Sequence, residues 1–138
     1  MMPAPRWILF IDGNDNERGY YVDRLRRSGS DYEIFEATNG KSGLELCKSH
    51  PIDCIILEID LPDMSGFEVL LKLVPVSRHP EMAVVVLTRQ PSMDLLHLAK
   101  TNGAQAALAK FGTSGDLLDR TILKAMATVQ ADRKRRID

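Results

Sequence analysis

The chain has 138 residues, of which 44% are hydrophobic and 27% charged, and it carries a net charge of -1. That length can bury an ordinary core, and the near-neutral balance gives no electrostatic reason to expect nucleic acid or a membrane surface as partner. No apolar run approaches the roughly 18 residues of a membrane span, Met1 to Arg6 lacks the apolar stretch of a signal peptide, and Cys47 and Cys54 fall where small buried hydrophobes belong, so a reduced, cytoplasmic protein is expected.

Trp7 to Ile11 (WILFI) is a continuous apolar run, the pattern of a strand covered on both faces, and it ends in the turn-forming cluster Asp12-Gly13-Asn14-Asp15-Asn16. Glu17 to Ser28 reads as a helix with Tyr21, Val22 and Leu25 inward, closed by Gly29. Tyr32 to Phe35 is a second strand, and Asn39-Gly40 opens a helix that runs to His50. Cys54 to Leu57 is a third strand, stopped by Pro62 and followed by a capping pattern, Ser65 with Glu68, ahead of a helix from Gly66 to about Leu73. After a loop from Val74 to Pro80, Met82 to Leu87 forms a fourth strand ending at Thr88, and Ser92 caps a helix from Met93 to about Thr101. Ala106 to Ala109 is a weak fifth strand ending at Lys110. A capping pattern over Thr113 to Asp116 starts a last helix with Leu118, Ile122, Ala125 and Val129 on one face. Five strand–helix units in strict alternation predict an α/β protein with a doubly wound, five-stranded parallel sheet. The expectation is a single domain over 1–138 with its core over about 7–130. Residues 131–138, with Arg133-Lys134-Arg135-Arg136, form a basic tail that reads as a solvated helix end or the beginning of a linker.

In that architecture the strand carboxyl ends share one edge, where open α/β sheets place their ligands. Asp12, Glu58, Thr88 and Lys110 each end a predicted strand and should converge, a grouping suited to metal-assisted or phosphoryl-transfer chemistry. Taken singly, each residue is no more than the polar residue at which a strand stops; four in order are harder to dismiss. Asp12 to Asn16 superficially matches the start of a calcium loop, but the sixth position is Glu17 instead of glycine, and a strand precedes it. His50, His79 and His97 are scattered without ligand spacing, and no GxSxG, P-loop or GxGxxG occurs.

Over roughly residues 7 to 130 the sequence resembles the response-regulator receiver domains (CheY-like superfamily) of two-component signalling. The matching segments are ILFIDGNDNER, EATNGKSGLEL, DCIILEIDLPDMSGFEVL, VVVLT and NGAQAALAK. The resemblance implies a flavodoxin-like (βα)5 fold with strand order 2-1-3-4-5. It implies a module that accepts a phosphoryl group from a histidine kinase onto an aspartate, with magnesium, and switches a partner surface. Thr88 and Lys110 keep the family's residues, but the phosphoacceptor position holds Glu58, the second acid after strand one is Gly13, the small residue after the threonine is Arg89, the rotating switch aromatic is Ala107, and the proline after the lysine is Phe111.

Glu58 presents a carboxylate one methylene further out, and a displacement of about 1 Å can cost a nucleophile on the order of 100-fold in rate. It carries one negative charge against about 1.5 to 2 for a phosphoryl group, which makes it an incomplete mimic. With no acid at Gly13 a direct magnesium ligand is missing, so weak magnesium binding is the most that is expected; Asp12, Glu58 and Asp60, or Asp15, are the residues left to hold it. Asp12 and Glu58 facing Lys110, with Arg89 either joining them or standing exposed, balances charge without metal. These residues predict an atypical, non-enzymatic pseudo-receiver acting through protein–protein contacts, with a phosphoryl-accepting receiver of unusual acceptor or metal site as the alternative. Expected partners are a histidine kinase, a downstream effector, or a second copy through the face formed by helix four, strand five and helix five, which offers Leu95, Leu96, Leu98, Ala107, Leu118 and Ile122, some of which must be core; nucleic acid is not expected.

Overall fold

The computed structural model describes residues 4–73, 82–89 and 92–137, so the loop predicted over Val74 to Pro80 lies outside the described residues. The elements alternate as β1 (Arg6–Ile11), α1 (Asp15–Arg26), β2 (Tyr32–Ala37), α2 (Gly40–Ser49), β3 (Cys54–Leu57), α3 (Gly66–Leu73), β4 (Ala83–Thr88), α4 (Met93–Thr101), β5 (Ala106–Ala109) and α5 (Gly115–Ile137). All pairings among these five strands are parallel and the strand order is β2-β1-β3-β4-β5, as the resemblance implies.

The continuous apolar strands are buried on both faces because helices cover both. Every residue of β3 and β4 is buried. Alternate side chains go to opposite layers. Ile8, Phe10, Ile56, Val85 and Leu87 pack with Leu25 of α1 and Leu118 and Ile122 of α5, whereas Leu9, Ile11, Ile55, Leu57, Val84 and Val86 pack with Val69 and Leu70 of α3 and Ala99 of α4. Leu118 and Ile122 are therefore core residues and offer nothing to a partner face, whereas Leu98 is half exposed. Among the described residues no helix is long and apolar enough to cross a membrane.

Side-chain caps fix where the helices start. Asn14, Asn39 and Ser92 accept from the backbone N–H groups of Glu17, Ser42 and Leu95, each satisfying a donor the helix itself leaves open. Two caps differ from the sequence expectation. Ser65 Oγ accepts from Phe67 N–H, while Glu68 N–H donates to the Ser65 carbonyl, so the reciprocal box is not formed. At α5 the capping side chain is Ser114, which accepts from Leu117 N–H, while Thr113 donates back to the Ala109 carbonyl. The basic run sits on α5 itself, with Arg133, Lys134 and Arg135 exposed on its last turns.

Gly66 couples the fold to the loop that carries Glu58. A Cβ there would lie 2.7 Å from Ile59 Cα and closer still to the Glu58 carbonyl oxygen, both rigid backbone atoms, so α3 can pack against this loop only through glycine. Gly19, exposed in the middle of α1, meets nothing within 4 Å. Gly66→Ala is expected to cost about 1–3 kcal/mol as an overpacking change. Gly19→Ala is expected to add about 0.5–1 kcal/mol through helix propensity. Urea unfolding of the two variants against wild type checks both signs.

Candidate functional site

The sheet brings Asp12, Glu58, Thr88 and Lys110 together at its carboxyl edge, because the register pairs Ile11 with Leu57, Leu57 with Val86 and Thr88 with Ala109. Asp12, Glu58 and Thr88 are at most 2% exposed. The Lys110 side chain is 6% exposed, so its charge is met by protein. Its Nζ lies 2.6 Å from Asp12 Oδ2, 2.9 Å from Glu58 Oε2 and 2.9 Å from Glu17 Oε1. The contact with Asp12 Oδ2 is an ion pair whose alignment falls short of a hydrogen bond. Asp12 Oδ1 accepts from the Asn14 N–H.

Glu58 is held from every side. Its Oε1 accepts from the Ile59 N–H at 2.8 Å, the Asp60 N–H at 3.1 Å and the Thr88 hydroxyl at 2.5 Å. Its Oε2 accepts from the Arg89 N–H at 3.2 Å and faces Lys110. The carboxylate folds back over its own backbone, which the extra methylene permits, and lies where the N–H groups following β3 and β4 converge.

The Arg89 side chain does not join Asp12 and Glu58. Half exposed, it pairs with Glu17 Oε1 at 3.2 Å at the rim. Asp60 is exposed and contributes its backbone, and Asp15 is 81% exposed and pairs with Arg18, so neither acid enters the cluster. Ala107 is half-buried in β5 and packs toward the α2–α4 layer, so no ring occupies the switch position; Phe111 is 94% exposed.

Sequence reading missed Glu17 and Tyr21 as site residues. An acid in the first turn of a helix is what the helix dipole favours anyway, which hides the second role of Glu17 as the third carboxylate on Lys110. Tyr21 is inward as predicted, and its hydroxyl also donates to the Thr113 carbonyl at 2.8 Å and the Lys110 carbonyl at 3.2 Å, fixing the turn after β5.

Electrostatics follow from this geometry. Burial alone would lower Lys110, but the carboxylates of Asp12, Glu58 and Glu17 outweigh it and hold the ammonium above its ordinary range. Burial pushes Asp12 up against the lowering influence of Lys110 and the Asn14 N–H. The hydrogen bond from Lys110 holds Glu17 below its ordinary value. Three carboxylates face two cations, Lys110 and Arg89.

The donor set does not fit a magnesium ion, which needs near-octahedral oxygen ligation including carboxylates. The Lys110 ammonium already stands among the carboxylates that would supply those ligands. Position 13 has no acid, and a Cβ added there would press on Pro62 Cδ at 3.0 Å and the Thr38 carbonyl at 3.1 Å. Among the described residues no group of three His, Cys, Asp or Glu side chains could hold a metal ion.

Comparison with known proteins agrees with this fold. Residues 8–122 match the response regulator receiver domain family, and the chain belongs to that family. It is 35% identical over 81 residues to the transcriptional regulatory protein SrrA of Staphylococcus aureus, a match that spans 59% of this chain and 32% of that protein. The chain thus matches about a third of the length of the curated relatives. A receiver domain protein of Methanospirillum hungatei superposes with a TM-score of 0.80 at 22% identity, covering 94% of this chain and 99% of the other. A response regulator of Burkholderia pseudomallei, solved with a phosphorylated aspartic acid, a calcium ion and citrate, superposes with a TM-score of 0.75 at 25% identity over 93% of this chain and 72% of that one. Both share the five-stranded receiver fold.

Removing Lys110 tests whether the cluster depends on one cation. Lys110→Met leaves buried carboxylates uncompensated and is expected to cost about 3–5 kcal/mol. Because the folded protein holds the Lys110 proton above its ordinary 10.5, the lysine's contribution is complete below that pH and is lost as pH climbs through the folded value. Glu17 works in the opposite window: its contribution is present above its ordinary 4.5 and fades as pH falls through the lower folded value. Thermal melts from pH 4 to 11 are expected to show a steeper alkaline decline in wild type than in Lys110→Met, and a shallower acid decline in Glu17→Gln than in wild type.

Proposed function

We propose that this receiver module works without phosphorylation, its Glu58 carboxylate serving as a resident anion in place of an acquired one. The observation that carries this reading is the set of five donors on Glu58: the N–H groups of Ile59, Asp60 and Arg89, the Thr88 hydroxyl and the Lys110 ammonium. Preorganised donors of this kind are what a protein uses to hold an anionic group, and here a side chain of the same chain takes them all. Lys110 stands where an acid-rich pocket would hold a cation, in contact with Asp12, Glu58 and Glu17 at once.

Such a module signals through protein contacts instead of chemistry. Its partners are a histidine kinase, which would recognise it without transferring a phosphoryl group, or a downstream effector; a second copy could pack on the α4–β5–α5 face. With alanine at position 107 there is no ring to move between two positions, so one conformation dominates instead of a population shift. The same reading takes 1–138 as one domain acting in the cytoplasm, with its core over about 7–130 and the basic end of α5 as a solvated helix terminus.

The test is intact-protein mass after incubation with magnesium and acetyl phosphate, run beside a Gly13→Asp, Glu58→Asp double variant and the Glu58→Asp single variant, which spares the crowded position 13. A phosphoryl mass on either variant and none on wild type is the expected result. Acquisition of that mass by wild type would overturn the reading in favour of an unusual acceptor.

A further inference from the structure

The chain contains two Asn-Gly pairs, Asn39-Gly40 and Asn102-Gly103. Asparagine is a thermally labile residue, and glycine, with no Cβ, leaves its neighbour unhindered. In such a pair the glycine backbone nitrogen attacks the asparagine Cγ. The N–Cγ bond forms, the Cγ–Nδ2 bond breaks, and ammonia leaves with the proton of the glycine amide. Water then opens the cyclic imide to aspartate or isoaspartate. The fold itself calls for the first pair. Asn39 caps α2, its Oδ1 accepting from the Ser42 N–H at 2.8 Å and the Ser42 hydroxyl at 2.9 Å. Glycine is favoured next, because a Cβ at position 40 would lie 2.6 Å from Met64 Cγ and 3.0 Å from Val69 Cγ2. Capping and packing together place a labile pair at the start of α2.

The loop between β3 and α3 reaches across to the same peptide. Asp63 Oδ1 accepts from the Gly40 N–H at 2.8 Å and Oδ2 from the Lys41 N–H at 2.9 Å. We propose that Asp63 guards the Asn39-Gly40 pair, a modification site that stays shut while this loop is docked on α2. The ring closes only when the Gly40 nitrogen swings into line with the Asn39 Cβ–Cγ bond. Asn39 is extended, with ψ at 171°, so the peptide must turn first. Turning it pulls the Gly40 N–H off Asp63. The attacked carbon is tethered separately, through Ser42. Nucleophile and electrophile are thus held by different partners. At Asn102-Gly103 the bonds are local. Gly103 N–H donates to the Lys100 carbonyl at 3.2 Å and Asn102 Nδ2 to the Leu98 carbonyl at 2.8 Å, both in the last turn of α4, where fraying releases them together. Because Asp63 lies on the loop that begins at Glu58, lifting that loop opens the first pair, whether or not Glu58 ever takes a phosphoryl group.

The second pair serves as an internal reference. The whole protein is incubated in mildly alkaline buffer until Asn102 is half converted, and tryptic peptides carrying each pair are read by mass for conversion of amide to acid. In folded wild type Asn39 is expected to convert more slowly than Asn102, and unfolding in guanidinium chloride should bring the two rates together. Asp63→Ala is expected to raise the Asn39 to Asn102 ratio about fivefold, the factor that one net hydrogen bond carries. Ile122→Val trims the core in the opposite layer, away from both tethers, and should leave the ratio unchanged. Equal conversion of the two pairs in folded wild type would overturn the guard, as would a ratio that rises as much in Ile122→Val. A ratio unmoved in Asp63→Ala would overturn it too. So would a lowered one, which would show the carboxylate drawing the proton from Gly40 and speeding attack.

Discussion

One buried ammonium governs this edge of the sheet. Lys110 directly follows the edge strand β5, and its Nζ lies within 2.9 Å of carboxylates from the turn after β1, the first turn of α1 and the loop after β3. Taking these charges out of water is costly, and a buried ion pair is tolerated only when geometry and further hydrogen bonds offset the desolvation. The surrounding structure supplies both. Asn14 N–H donates to Asp12 Oδ1, leaving Oδ2 to the ion pair with Lys110 alone, the N–H groups after β3 and β4 satisfy Glu58, and Tyr21 holds the carbonyl of Lys110 itself. The close approach of Gly66 to the Glu58 carbonyl holds the acidic loop where these bonds can form.

The same geometry explains why the departures from the family pattern belong together. A glutamate at position 58 reaches the donors that lie beyond the strand end, and its negative charge makes Lys110 a resident counter-ion. With the lysine so placed, a second acid at position 13 would add charge that nothing present offsets, and Pro62 and the Thr38 carbonyl crowd that position. An alanine at 107 leaves no ring to report a change of state. In the proposed reading, each of these departures removes one requirement of a phosphoryl switch.

Much of this was legible in the sequence, for physical reasons. A strand buried on both faces is a continuous apolar run, so β3 appears with the boundaries expected; β5, whose residues are only half-buried, was legible from its place in the strand–helix alternation, and the convergence of Asp12, Glu58, Thr88 and Lys110 follows from parallel topology. Helix ends were less legible, because adjacent polar residues compete to cap: Ser114, not Thr113, caps α5, and Ser65 bonds Phe67 instead of forming a box with Glu68. Glu17 was not legible as a site residue, since an acid in a first helical turn looks the same whether it faces water or a lysine from 93 positions away. The direction of Arg89 likewise depended on where Glu17 lies.

The central claim is that Lys110 and Glu58 already fill the cation and anion roles of this pocket. The most direct measurement is a magnesium titration at millimolar concentrations, following the backbone amide resonances of Ile59, Asp60, Arg89 and Asn14, which donate to the buried carboxylates. The account predicts no saturable shift of these resonances in wild type. A saturable, site-confined shift in wild type would show that a divalent cation displaces Lys110, and would contradict it.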